Sequence, residues 1–146
     1  MADLLEKGAL FNMTPIDFAR SVYLGDRACK AINIDCWNSR VRVQVDCISR
    51  IRDESGQWNF YTKEDITDGY LVFDGIRSVE LHNEGHIPND TINSFLVTEA
   101  SADSIAIEMS IGAVSESVPY FETILRLTCR SIHIEDPSRP GEEIYS

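Results

Sequence analysis

Along most of the chain, hydrophobic and polar residues alternate with a period of two. Ile32, Ile34 and Cys36 share one face against Asn33 and Asp35, and Val41, Val43, Val45 and Cys47 share another against Arg42, Gln44 and Asp46. Further on, Ile105, Ile107, Met109 and Ile111 alternate with Ala106, Glu108 and Ser110, and Leu125, Leu127 and Cys129 alternate with Arg126 and Thr128. This spacing predicts half-buried strands with apolar side chains turned inward. Two of the runs lose phase. After Cys47 the apolar positions become Ile48 and Ile51, and after Cys129 they become Ile132 and Ile134. A slip of one residue reverses the faces of a strand, so a bulge is expected near each cysteine, within two long bent strands of one sheet system.

The punctuation agrees with a β domain. Ser55-Gly56 marks a hairpin between the strand ending near Arg52 and "WNFYT", Asp68-Gly69 precedes "YLVFD", and Asp74-Gly75 precedes "IRSVEL". Ala100–Asp103 and "SESVPYF" are further breaks. The only helical signal is "TPIDFARSVYLGDRA". There Thr14 is an N-cap, Pro15 takes the first helical position, Gly25 is a stop, and Ile16, Ala19 and Val22-Tyr23 form a stripe. The expectation is a mainly β fold: one domain over residues 1–146, a β-sandwich or partly open barrel of about eight strands with one short N-terminal helix. Residues 1–13 and the Pro/Gly-containing 137–146 are expected to be loosely ordered ends.

Composition narrows the function. The 146 residues carry 24 acids against 13 bases, a formal net charge of −11. Neutralising phosphates needs clustered Lys and Arg, so a nucleic-acid binder is excluded, and a basic protein partner is favoured. The first residues lack the basic and apolar regions of a secretory signal, and no run approaches a membrane span, so a cytoplasmic protein is expected. Cys29, Cys36, Cys47 and Cys129 form no C-x-x-C pair and read as four reduced core thiols.

One stretch invites a metal. "HNEGHIPND" holds His82 and His86 four apart, with Glu84 one place later than a zinc-protease helix needs. Gly85 and Pro88 oppose a helix, and on a strand the two histidines would stand roughly 13 Å apart. The stretch reads as a turn-rich connection. No nucleophile elbow, phosphate loop or usable carboxylate pair appears, so no catalytic, cofactor or metal residues are assigned and the chain reads as a non-enzyme.

The segment from Asp53 to Tyr70 stands out instead. Trp58 and Tyr61 are interleaved with Asp53, Glu54, Glu64, Asp65 and Asp68. Aromatic side chains ringed by acids suit an interface with a basic protein, and these seven residues form the candidate partner surface. The opposing reading is that the aromatic residues are core and the acids a solvated rim. Trp37 carries the same ambiguity.

The order of "VYLGDRACKAINIDCWNSRVRVQVDCISRIR", "GQWNFY", "GYLVFDGIRSVEL", "GHIPND" and "LRLTCRSIHIED" resembles an uncharacterised bacterial family of small all-β domains. That family in turn resembles the immunity proteins of polymorphic toxin systems, through the phrase Leu71–Leu81. The resemblance covers roughly Val22 to Asp136. It implies a toxin-neutralising protein that binds a cognate, basic effector and blocks it by occlusion. A secretion chaperone and a sugar- or small-ligand-binding sandwich using Trp37 and Trp58 are the alternatives. No functional residue is carried over from the resemblance.

Overall fold

The computed structural model describes residues 13–52 and 64–146. Within them the chain forms eleven strands and one helix in three antiparallel sheets, the arrangement of a β-sandwich. The front sheet has the order β11-β6-β3-β2, built from β2 (Cys29–Asp35), β3 (Arg40–Val45), β6 (Tyr70–Asp74) and β11 (Ser131–Glu135). The back sheet has the order β7-β10-β9-β8, from β7 (Ser78–His82), β8 (Ile92–Ala100), β9 (Ile105–Ala113) and β10 (Phe121–Cys129). A small end sheet joins β1 (Val22–Tyr23), β4 (Cys47–Arg50) and β5 (Ile66–Thr67) in the order β1-β4-β5.

The alternating runs supply the core. Val41, Val43, Leu71, Phe73, Ile132 and Ile134 of the front sheet face Ile107, Met109, Ile111, Leu125 and Leu127 of the back sheet, all buried in one cluster. Phe73 and Phe95 meet edge to face across the layers, with centroids 6.2 Å apart. The outer face of the back sheet is polar, and its Arg126 donates to Glu108 at 3.0 Å.

The two losses of phase have a different cause from the expected bulges. At Asp46 and again at Arg130 the strand run is interrupted for one residue, and the chain passes from one sheet to another. β3 leaves the front sheet and continues as β4 of the end sheet, and β10 leaves the back sheet and continues as β11 of the front sheet. A strand that turns a corner between layers must present a new face, and that change of face is the slip seen in the sequence. The turn at Asp74-Gly75, where Gly75 has φ 64°, carries the chain back from β6 to β7. It packs against the second corner, with the Arg130 N–H donating to the Asp74 carbonyl at 2.8 Å. A Cβ at Gly75 would come within 2.9 Å of the Arg130 side chain. The irregularity in β2–β3 pairing lies instead between Cys29 and Ala31.

Helix α1 (Pro15–Ser21) is capped as expected, Thr14 Oγ1 accepting the Asp17 N–H at 3.2 Å. It stops before Gly25, because Val22 and Tyr23 pair with Arg50 and Ser49 as β1. Its buried residues are Phe18, Ala19 and Ser21, while Ile16 is exposed, so the expected stripe is turned by part of a helical turn. Of the cysteines, only Cys29 and Cys129 are core, Cys47 is half-buried and Cys36 is exposed, and all four are free. Cys36 and Ile34 lie at the end of β2, an edge strand that overhangs the core, which is why alternation there does not mean burial.

The C-terminal stretch returns along the edge of the front sheet. After a turn at 136–141, Ile144 pairs with Ile134 through two backbone hydrogen bonds of 2.9 Å, adding a partial strand beside β11. Buried Arg50 and neighbouring Arg52 then both donate to the Ser146 carbonyl, at 3.1 and 3.2 Å. Residues 136–146 therefore form a strap over the front sheet. The segments "DESGQW" and "WNFYT" and residues 1–12 lie outside the described residues. Among the described residues no helix is long and apolar enough to cross a membrane.

Candidate functional site

The expected partner surface is described in part. Asp53, Glu54, Trp58 and Tyr61 lie outside the described residues, and Glu64, Asp65 and Asp68 frame β5 of the end sheet. Glu64 accepts two hydrogen bonds from Arg52 Nε and one from Nη2, the shortest 2.6 Å, and this contact holds its carboxyl below the ordinary range although partial burial opposes it. Asp68 pairs with Lys30 at 2.6 Å, at the start of β2, and Asp65 is half-buried between these two. Glu64 and Asp68 each hold a base, which lowers the bare charge they offer.

At the opposite end of β2 the ambiguity over Trp37 is resolved. The β2–β3 turn is held by Asp35, whose Oδ1 accepts the Asn38 N–H at 3.0 Å and whose Oδ2 accepts from Asn38 Nδ2 at 2.8 Å. Those bonds depress the Asp35 carboxyl. Ser39 closes the turn at φ 51°. Trp37 stands on this braced tip 94% exposed, with Ile34 49% exposed behind it. A shallow groove of about 140 Å³ beside the tip is lined by Ile34, Cys36, Arg40, Ile76 and Val79, and Trp37 stands outside it. Between tip and acids runs β2, an edge strand among the described residues, where Ala31 and Asn33 are exposed.

"HNEGHIPND" forms the connection from β7 to β8. Glu84 and Gly85 turn at positive φ, and Asn83 Nδ2 donates to the His86 carbonyl at 3.0 Å. His82 lies 3.1 Å from Glu80 and His86 packs on Phe121 at 4.7 Å between ring centroids, so the two rings serve different neighbours.

A second constellation lies on the outer face of the front sheet, where sequence reasoning placed nothing. Strand register sets Arg40 beside Asp74, and Arg42 beside Val72, which in turn pairs with His133. The strap adds Glu143 and Tyr145 on either side of Ile144. His133 is fully buried, although alternation turns it outward, because the Tyr145 ring covers it at 5.2 Å. Its Nε2 lies 3.1 Å from Glu135 Oε1 and 3.5 Å from Glu143 Oε2. Its Nδ1 lies 3.4 Å from Asp74 Oδ2 yet makes no hydrogen bond.

The carboxylates are divided between two kinds of partner. Arg40 donates to Asp74 Oδ1 and Arg42 to Glu135 Oε2, leaving the other oxygen of each for the imidazole. Burial alone would raise the Glu135 carboxyl, but His133 and Arg42 together hold it below its ordinary value. Burial and the bond from its hydroxyl to Glu143 push Tyr145 up to about 12. The sequence did contain a signal for this site. "LVF" in β6 places Val72, fully buried, between two core residues, and three consecutive buried positions mean that both faces of the strand are covered.

Comparison with curated proteins and with solved structures yields no match in either. A family model does match, over residues 13–146. That span contains all three sheets, the strap and both constellations, and on it the chain belongs to the Family of unknown function (DUF6258).

Proposed function

We propose that this protein is a protein-binding module of the immunity type, which neutralises a basic bacterial toxin by occupying its working surface. The observation that carries the reading is Trp37, almost wholly exposed on a turn braced by Asp35 and Asn38. Leaving an indole in water forgoes roughly 1.5–3 kcal/mol of burial, the range for a large apolar side chain, and tryptophan leads the residue types that dominate interfaces. A tip already rigid in the free protein loses little entropy on docking. The net charge of −11 supports a basic partner, and the acids Glu64, Asp65 and Asp68 at the other end of β2 extend the same surface. Past Cys29, whose N–H donates to Asp90, β2 is an edge strand among the described residues, and this edge, about 20 Å long, is suited to receive an added strand.

A chaperone reading rests on long amphipathic helices, and the one helix among the described residues has seven residues. A ligand platform rests on Trp37 and Trp58 in a concavity; Trp37 stands on a projecting tip, and Trp58 lies outside the described residues.

The test is calorimetric titration of the protein with basic toxin domains encoded beside its gene, at low and high salt. Nanomolar binding that weakens with salt is expected. Trp37→Ala should lose about 2–4 kcal/mol of affinity while thermal stability stays unchanged. Equal affinity of the variant, or no toxin bound at either salt, would sink the reading.

A further inference from the structure

We propose that Asp74, His133 and Glu143 form a binding site for a divalent transition-metal ion of the zinc class, clamping the 136–146 strap to the front sheet. The three residues each offer one ligand atom, and these atoms lie within 4.8 Å of one another. They come from β6, β11 and the strap, so a shared ion would cross-link three segments distant in sequence.

The independent observation is the state of His133. The side chain is fully buried, its Nε2 lies 3.1 Å from the acceptor Glu135, and its Nδ1 faces Asp74 Oδ2 with no hydrogen bond between them, so that in the neutral tautomer Nδ1 presents a lone pair to a carboxylate. A lone pair facing a carboxylate oxygen is repulsive unless a cation lies between. The spacing suits one. With bonds of about 2.0–2.2 Å, two ligands of a tetrahedral zinc ion stand about 3.4 Å apart, and the Nδ1–Oδ2 distance is 3.4 Å. Glu143 Oε2 accepts from the Tyr145 hydroxyl and lies 3.5 Å from Nε2, and its 48% exposed side chain would turn toward Nδ1 to complete the set.

The surroundings match what a metal-bound histidine requires. Its second nitrogen donates to Glu135, which fixes the tautomer, and Glu135 is held by Arg42. Arg40 occupies the other oxygen of Asp74. These two guanidiniums answer two of the three carboxylates, and Glu143 has no Arg or Lys in ion-pair contact among the described residues. One imidazole with two carboxylates favours zinc over calcium or magnesium, which prefer all-oxygen shells, and leaves a fourth position open to water.

The test is titration of the full chain with Zn²⁺, and with Mg²⁺ and Ca²⁺ for comparison, followed by calorimetry and thermal unfolding. One zinc ion per chain should bind and raise the melting temperature, while Mg²⁺ and Ca²⁺ should not. Glu143→Gln, on an exposed side chain, should weaken zinc at least tenfold with an unchanged circular dichroism spectrum, and Asp74→Asn should do the same. Co²⁺ substitution separates this site from the cysteines, since it should give no thiolate charge-transfer band. Absence of zinc uptake, uptake unaffected by both substitutions, or a thiolate band would each overturn the assignment, leaving a proton as the cation between His133 and Asp74.

Discussion

Cysteine behaviour separates the environments in this chain residue by residue. Burial pushes the Cys29 thiol up to about 11 and the Cys129 thiol up to about 12, whereas Cys36 stands exposed beside Trp37. Only the thiolate reacts, so the buried pair is protected twice, by access and by protonation. Brief alkylation of the folded protein at pH 8, read by mass spectrometry, should mark Cys36 first and leave Cys29 and Cys129 unmodified until denaturant is added. Early labelling of either buried thiol would contradict the burial described. This difference was not legible in the sequence, where all four cysteines sit in similar apolar runs. What distinguishes Cys36 is its place past the end of an edge strand, and edges are set by strand order.

At the scale of elements, local alternation was informative where a strand has one covered face. β3, the first half of β9 and the second half of β10 follow it, with Val41, Val43 and Val45, then Ile105, Ile107 and Met109, and Leu125, Leu127 and Cys129 buried. It was incomplete for β6 and β11, where Val72 and His133 are buried as well: the run "LVF" signals cover on both faces of β6, but that Tyr145 of the strap covers His133 is encoded in no local pattern. The candidate cluster was missed for the same reason: Asp74, His133 and Glu143 are neighbours only after β6, β11 and the strap align. The acidic surface around β5 was legible as composition, but its pairing with Arg52 and Lys30 was not. The strap's hold can be measured. Ile144 is half-buried against the core, so Ile144→Ala should cost about 1–2 kcal/mol in urea unfolding, less than a fully buried isoleucine. A change under about 0.5 kcal/mol, the range of ordinary surface substitutions, would mean that the strap contributes little.

Over the whole molecule, the excess of acid makes pH the natural probe. Arg52 holds the Glu64 carboxyl below its ordinary value of 4.5. A depressed carboxyl stabilises the fold fully above that ordinary value, and the contribution disappears as pH falls through the lower folded value. Arg52→Gln should therefore lower the melting temperature at pH 7, and the difference from the parent should close in stronger acid. A difference that persists there would assign the loss to the Arg52 contact with Ser146 instead. The effect should be small, since both side chains are more than a third exposed.

The one-residue corners at Asp46 and Arg130 have a consequence for how the protein comes apart. Neighbouring strands of a simple hairpin can peel away as a pair, leaving the opposite layer intact. Here the chain crosses layers within a single residue at two places, so neither sheet can detach without dragging a strand out of another. The layers are stitched rather than stacked. Partial opening is thereby penalised, and a chain that rises from one layer to the next so abruptly should come undone as one seam.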